Sequence, residues 1–364
     1  MTAPRALSCA PSGLKPLLLA SGLWLSAAPV ALACAFHDYV PRPGLSDELE
    51  MSETVLLARP DPASPFRFIP VIALRGVGEE VDLPQLVDSV TRRRLAANPD
   101  DHVLFLRPDD YGEWERGVYV DDQTRTLLES LVAEIAQEGF LSLERRVEIF
   151  GPLLQSEHPV LNAIALREAD QLPYELMRAL PPPPQAAPHI AALSTASQAQ
   201  SHPIRLLLLG LSPDPAARAF LENALLAAAA TGNTRNLGAL TAGYIESAGA
   251  EGVVAIEAAF FTRPAGPRDI QSEALIEAMA IHSLQGDPET TAAITQAIAH
   301  LLEAHPDSIA PVARQFGGRE IPIFADQAAS LLERGLLDSL EMRNSAIEYV
   351  ARSRRAASDA FLMD

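Results

Sequence analysis

Cysteine and histidine supply the residues of this chain whose spacing is best suited to chemistry. The chain has two cysteines, Cys9 and Cys34, and His37 follows Cys34 at C-x-x-H spacing. If Cys34 became the first residue of a processed chain, its thiolate and α-amine would form a five-membered chelate, with the His37 imidazole as a third donor. Thiolate combined with imidazole suits copper(I) or zinc. The sequence therefore predicts Cys34 and His37 as a candidate copper or zinc site.

The segment before Cys34 has the three parts of a signal peptide. Arg5 and Lys15 supply positive charge, residues 17–28 are apolar, and residues 31–33 read Ala-Leu-Ala, an A-x-A cleavage signal. The apolar run is shorter than the roughly 20 residues of a transmembrane helix. We therefore expect residues 1–33 to be removed and the mature protein to be exported, to the periplasm or the outer membrane rather than fully secreted.

Three interpretations of Cys34 stay open, because loss of Cys9 with the leader would leave it without a partner for a disulfide within the chain. Residues 31–34 loosely fit a lipobox, so lipidation at Cys34 would attach the protein to a membrane. Metal chelation is the second interpretation, and it excludes lipidation because both use the α-amine. The third is a cysteine that is buried, or paired between molecules, at the start of a folded domain.

The charge balance argues against two kinds of partner. The chain has 47 acidic residues against 28 Lys and Arg, for a net charge of −19, and Lys15 in the leader is its one lysine. A field of this sign repels nucleic acid and anionic lipid surfaces. The basic run at residues 92–94, Arg-Arg-Arg, is therefore expected to be a solvated face, and we expect a protein partner and no nucleic acid.

The pattern of residues 34–125 is typical of a small β-domain. Residues 53–58, 66–74, 102–106 and 115–120 are short, rich in Val, Ile, Leu and Phe, and bounded by Pro, Gly and Asp. A helix is expected at residues 83–95. Several short strands with turns between them predict a β-barrel or sandwich.

This region resembles the opening of netrin-like domains, the OB-type barrels that include the tissue inhibitors of metalloproteinases. The resemblance lies in an N-terminal cysteine after a leader, the run VLLARP at residues 55–60 and the run FRFIPVIALRG at residues 66–76. It implies an OB-type barrel. The disulfides that fix the N-terminal cysteine in that family have no counterpart here.

A helical period replaces the strand pattern after residue 122, and we expect the junction between residues 122 and 140. Asp214-Pro215 and Asp287-Pro288 open two matching helix patterns at an offset of 73 residues, close to two units of about 36. With Arg218, this Asp-Pro-x-x-Arg start resembles HEAT-like α-solenoid repeats. The predicted regions are first helices at 126–180, a Pro/Ala/Ser-rich linker or insertion without regular structure at 181–202, helical repeats at 203–356 and a tail at 357–364.

The remaining polar residues form no complete catalytic motif, because hydrolase, zincin and nucleotide-site signatures are absent from the sequence. Histidines that precede proline, such as His158 and His202, are expected to be surface caps, and His282 and His300 to be ordinary surface or interface residues. The acidic pairs 109–110 and 121–122 lie near Tyr111, Trp114 and Tyr119, where a cation or sugar could bind, but solvated turns are favoured.

The sequence as a whole predicts an α+β multidomain protein, a small N-terminal β-barrel or sandwich followed by an all-α HEAT-like repeat region. An enzyme is not expected. The favoured function is that of an exported binding or scaffold protein that docks a protein partner on its helical-repeat surface. The alternative is a metal-handling protein that uses Cys34 and His37.

Overall fold

A computed structural model of the chain describes residues 41–76, 81–109, 111–263, 266–267 and 269–363. The strands are β1 (Thr54–Pro60), β2 (Phe68–Arg75), β3 (His102–Arg107) and β4 (Glu115–Val120). The helices are α1 (Leu45–Glu50), α2 (Ser89–Ala97), α3 (Asp122–Glu138), α4 (Leu143–Phe150), α5 (Pro159–Ala169), α6 (Tyr174–Met177), α7 (Ala187–Leu193), α8 (His202–Leu211), α9 (Pro215–Thr231), α10 (Leu237–Ile256), α11 (Asp269–Gln285), α12 (Pro288–Ala304), α13 (Ile309–Gly318), α14 (Ala325–Glu333) and α15 (Leu340–Met363). Short 3₁₀ turns occupy Pro152–Gln155, Ala196–Ser201 and Pro306–Ser308, and a π-helical turn occupies Glu257–Phe261.

The four strands form one antiparallel sheet in the order β2-β1-β3-β4. The two central strands, β1 and β3, explain why the sheet forms. Successive residues of a strand point to opposite faces, and β1 is apolar on both. Val55 and Leu57 lie opposite Leu106 and Leu104 on one face, while the neighbouring side chains Leu56 and Ala58 point to the other. Both faces are buried, so the sheet is the middle of three layers.

The two outer layers differ in size. One is a small cap, in which α2 contributes Leu95 and the preceding loop contributes Leu83 and Val87 against Phe105 of the sheet. The other is the large helical region, which begins with α1 and α3 and continues as one hydrophobic core to α15. The sheet therefore joins the helical region through one face only.

The coarse prediction of strands followed by helices is confirmed, whereas the described strands form an open sheet and not the expected barrel or sandwich. β2 and β4 lie at opposite edges of the sheet. In a sandwich, a second sheet would cover the face that carries Val55. Here helices cover that face: Leu128 and Leu131 of α3 belong to the same core as Val55.

The junction between strands and helices lies where the change of period predicts it. β4 ends at Val120, and Asp121 caps α3 by accepting a hydrogen bond from the Thr124 backbone N–H. Asp214 and Asp287 likewise accept hydrogen bonds from the first turns of α9 and α12, as expected of an Asp-Pro start. These local start signals are therefore confirmed.

The predicted linker at residues 181–202 is wrong over most of its length. Residues 181–186 contain no helix, but α7 follows directly and the Ala196–Ser201 turn leads into α8. Proline is tolerated in the first turn of a helix, where its missing N–H has no partner to lose, and Pro188 lies there. His189 and Ala192 are buried, so this segment packs onto the helical region.

The predicted helix at residues 83–95 begins later than expected. Asp88 caps α2 by accepting hydrogen bonds from Val90 and Thr91, so the helix starts at Ser89 and Leu83 is buried in the preceding loop.

Within the described residues, no helix is both long enough and apolar enough to cross a membrane.

Candidate functional site

The two residues predicted to bind metal, Cys34 and His37, lie outside the described residues, as does the predicted leader. Within the part of the chain that the structure describes, no three His, Cys, Asp or Glu side chains converge as metal ligands would. The copper or zinc site therefore stays a prediction about the N-terminal segment.

A cavity of about 670 Å³ lies where the sheet meets the helical region. It is within the size range of small-molecule and peptide-side-chain sites. Its lining comes from β4 and α2, from α5 and α8, and from the 3₁₀ turn before α8. We call it the arginine cleft. Its lining residues are Arg42, Arg94, Val118, Tyr119, Pro159, Val160, Asn162, Ala163, Ile164, Leu166, Arg167, Asp170, Ser197, Gln198, Gln200, Ser201, Ile204 and Arg205.

The charge of the arginine cleft is opposite to that of the protein. Four arginines line it, and Asp170 is the one carboxylate among the described lining residues. The chain as a whole carries a net charge of −19. Cations gathered into a concave site of an acidic protein focus a local positive potential, which favours an anionic ligand.

Arg205 is the arginine whose surroundings are most informative. Its Nε donates to the Ser201 Oγ at 3.0 Å and its Nη2 to the Gln198 Oε1 at 3.0 Å. These are neutral acceptors, and in the described structure no carboxylate forms an ion pair with this guanidinium. Burial lowers the pKa of Arg205. Within the described residues, the hydrogen-bond partners of this half-buried cation are therefore neutral, whereas buried charges are usually paired.

His189 of α7 lies close enough to Arg205 for its pKa to be affected by the charge of that guanidinium. Burial, together with the nearby charge of Arg205, lowers the pKa of His189 to about 4. The imidazole is therefore neutral at pH 7 and does not add positive charge to the cleft. An anion at Arg205 would not be shared with this histidine.

The wall opposite Arg205 combines an arginine with an aromatic ring. The Arg94 guanidinium carbon lies 3.4 Å from the centroid of the Tyr119 ring, a cation–π contact. The Tyr119 hydroxyl donates to the Asp101 Oδ2 at 2.6 Å. Burial first, and then this hydrogen bond, raise the pKa of Tyr119 to about 12, so the phenol stays neutral. Tyr119 thus holds Arg94 in place over the mouth of the cleft.

The floor of the cleft is apolar on the helical side, where Pro159, Val160 and Ile204 face the space. Arg167 is held at its edge by an ion pair with Glu48 of α1, at 2.6 Å between Nη2 and Oε1. A ligand that fits must therefore carry both apolar and anionic groups.

The described lining residues include no histidine or cysteine, and their hydroxyl groups are those of Ser197, Ser201 and Tyr119. Ser201 already accepts a hydrogen bond from Arg205.

The histidines singled out in the sequence have other roles. His158 is a helix cap as expected: its Nδ1 accepts from the Leu161 backbone N–H at 3.3 Å, and its Nε2 lies 2.7 Å from the Asp121 Oδ2. His282 is only 2 % exposed, and His202 is also buried, so the surface role expected for these two is wrong. His300 is exposed and pairs with Glu257 at 2.8 Å.

The acidic and aromatic residues that follow β3 lie in different environments. Trp114 packs into the small cap of the sheet, Tyr111 is 99 % exposed, and Asp121 caps α3 and lies 2.7 Å from the His158 Nε2. Tyr119 lines the arginine cleft, and Asp110 lies outside the described residues.

The residues of the arginine cleft were not predicted as a site. Two signals pointed to parts of it: Arg94 belongs to the basic run at residues 92–94, and Tyr119 belongs to the acidic and aromatic region where a cation or sugar could bind. Arg205 had no such signal, because the sequence does not show that residues 197–205 fold beside β4, α2 and α5. Comparison with family models, curated proteins and solved structures finds no match to this chain.

Proposed function

We propose that the protein is a binding protein whose arginine cleft takes a short acidic segment of a protein partner. The observation that supports this most is Arg205, a half-buried guanidinium whose hydrogen bonds go to the neutral oxygens of Ser201 and Gln198. Hydrogen bonds between charged groups are roughly twice as strong as neutral ones. A carboxylate that enters the cleft would therefore give the Arg205 guanidinium an anionic partner, which none of the described residues supplies.

The overall charge favours a short acidic segment over an acidic surface. The field of a protein of charge −19 repels an acidic partner, but salt screens charges more than about 8 Å apart at physiological ionic strength. Attraction by the cleft acts at contact distance. A few carboxylates on an exposed segment can reach Arg205 and Arg94, whereas a broad acidic face would meet the acidic surface around them.

The location of the protein and its helical scaffold are also parts of the proposal. Export of the mature protein follows from the predicted leader, and a HEAT-like scaffold from the Asp-Pro starts of α9 and α12. The binding role does not depend on either, because the cleft is formed by the sheet, α2, α5 and α8.

Calorimetric titration of the full chain with an octapeptide of alternating Glu and Val tests the proposal. Arg205→Gln should weaken binding by about tenfold or more, since a lost charged hydrogen bond is worth about 1.5–3 kcal/mol. Arg218→Gln is the matched control: it removes one positive charge from α9, where Arg218 pairs with Glu251 outside the cleft. Undetectable binding by the wild-type chain, or equal losses in the two variants, would overturn the proposal.

A further inference from the structure

We infer that the acidic segment binds as an extended strand along the outer edge of β4, so that it extends the sheet to five strands; this rests on the proposed function. The inference concerns how the ligand is held. It requires that the arginine cleft give access to the backbone of β4 and not only to its side chains.

The lining of the cleft shows that it meets β4 at its edge. Val118 and Tyr119 are consecutive residues, so their side chains point to opposite faces of the sheet. Val118 packs against the helical core and Tyr119 against the small cap, as this alternation requires. Both nevertheless line the same cavity. A cavity that contacts residues on both faces of one strand must approach that strand from the side.

Among the described strands, none pairs with the outer side of β4. β4 is a terminal strand, and β3 occupies its inner side. A terminal strand presents a row of backbone N–H and C=O groups that another extended chain can pair with. No proline interrupts β4, whose sequence is ERGVYV.

The opposite edge of the sheet provides a comparison. β2 exposes Ile69 and Val71, but it contains Pro70 between them. Proline lacks an N–H, and in an edge strand it prevents further pairing. The described cavity with four arginines lies at β4 and not at β2. The two edges therefore differ both in backbone and in charge.

The walls predict which side chains the added strand carries. A strand places alternate residues on opposite sides, here toward Arg205 and Ile204 of α8 or toward Arg94 of α2. The α8 side offers apolar surface and a cation, while the α2 side offers the Arg94 cation over Tyr119. A segment in which acidic and aliphatic residues alternate places its carboxylates on one wall, toward Arg205, and its aliphatic side chains on the other wall, toward the Tyr119 ring and Arg94. A simple diacid would occupy the arginines without contacting β4.

N-methylated peptides test the backbone contact directly. In an extended octapeptide of alternating Glu and Val, the N–H groups of all glutamates lie on one edge and those of all valines on the other. Only one edge of the peptide can pair with β4. Methylation of one set should therefore weaken binding by about tenfold or more, as expected for two or more lost hydrogen bonds, while methylation of the other set leaves it nearly unchanged. Equal effects of both sets would overturn the inference.

A second ligand separates this inference from the proposed function. Glutarate carries two carboxylates and no peptide backbone. If it binds as tightly as the octapeptide, with the same loss in Arg205→Gln, the cleft binds anions but the strand pairing is wrong. If glutarate binds much more weakly than the octapeptide, and one methylated peptide fails selectively, the strand pairing is supported. If neither ligand binds, the proposed function itself fails.

Discussion

Gly210 of α8 and Gly243 of α10 pack backbone against backbone where their helices cross. A methyl group on Gly210 would lie 2.6 Å from the Gly243 carbonyl oxygen and 2.7 Å from its Cα. A methyl group on Gly243 would in turn collide with the Leu206 carbonyl oxygen. Backbone atoms cannot move aside as the end of a side chain can, so any larger residue forces α8 and α10 apart.

Gly243→Ala should therefore destabilise the protein by about 3 kcal/mol, the upper part of the usual range for overpacking a core. The measurement is the free energy of unfolding in urea, followed by circular dichroism. Gly318→Ala is the control, because Gly318 is an exposed glycine of α13 with nothing within 4 Å of an added methyl group. Its stability should be unchanged or raised by up to about 1 kcal/mol. Equal losses in both variants would contradict the packing argument.

Sequence patterns predicted the elements better than their arrangement. All four strands follow from short runs rich in Val, Ile, Leu and Phe, and the helix starts at Asp214 and Asp287 follow from capping, and both signals involve neighbours in the chain. The covering of the sheet was not predictable, because Leu128 of α3 meets Val55 of β1 only after folding. The arginine cleft is of the same kind, since its lining residues come from five separate stretches of the chain.

The predicted repeat shows how much of the structure a local capping signal can predict. α9 and α12 begin with the same Asp-Pro cap, 73 residues apart in the sequence. α10 and α11 lie between them, and α10 is interrupted at Gly249, whose backbone (φ 56°, ψ −136°) is not helical. An Asp-Pro cap reports where a helix starts and carries no information about which helix it packs against. The HEAT-like arrangement therefore stays a prediction.

Arg146 of α4 should be among the most sensitive charged residues. Its guanidinium is 8 % exposed and lies 2.6 Å from the Asp47 Oδ1, 3.0 Å from the Glu50 Oε1 and 3.9 Å from the Glu168 Oε2. Arg146→Met leaves three carboxylates without their common cation, so the free energy of unfolding should fall by about 3–5 kcal/mol. Urea denaturation at pH 7 measures the loss.

Two further variants separate burial from charge. Arg145→Met removes the adjacent arginine, which is exposed and pairs with Glu134 and Glu148, and its effect should be much smaller. Glu168→Gln should keep or raise stability at pH 7, because burial raises the pKa of Glu168 and the carboxylate is costly there. A large loss in Arg145→Met, equal to that in Arg146→Met, would contradict the role assigned to the buried cation.

The N-terminal prediction is tested by mass and by metal binding. The intact mass of the mature protein should show cleavage before Cys34 and distinguish a lipidated terminus from a free one. If the terminus is free, copper(I) or zinc should bind the wild-type protein more tightly than the double variant Cys34→Ser, His37→Ala. Equal affinities of the two proteins would end the metal hypothesis.

His282 should make stability depend on pH in a defined direction. Its Nε2 lies 3.0 Å from the Ala242 carbonyl oxygen and 3.0 Å from the Tyr174 hydroxyl, and burial lowers the pKa of His282 to about 4. The unfolded chain has a histidine pKa of about 6.5, so between about pH 6.5 and pH 4 it binds more protons than the folded protein. Stability should therefore fall as the pH falls through this window, by up to about 1.4 kcal/mol per pH unit for one histidine.

His282→Gln isolates this contribution, because glutamine keeps an N–H that can donate to Ala242 but does not titrate. The difference in unfolding free energy between wild type and variant at pH 7.5 reports packing alone. That difference should shift in favour of the variant as the pH is lowered to 5. The raised pKa values of Glu168 and Glu277 act in the opposite direction, but they are common to both proteins and cancel in the difference. A difference that stays constant from pH 7.5 to 5 would show that His282 is not held neutral by the fold.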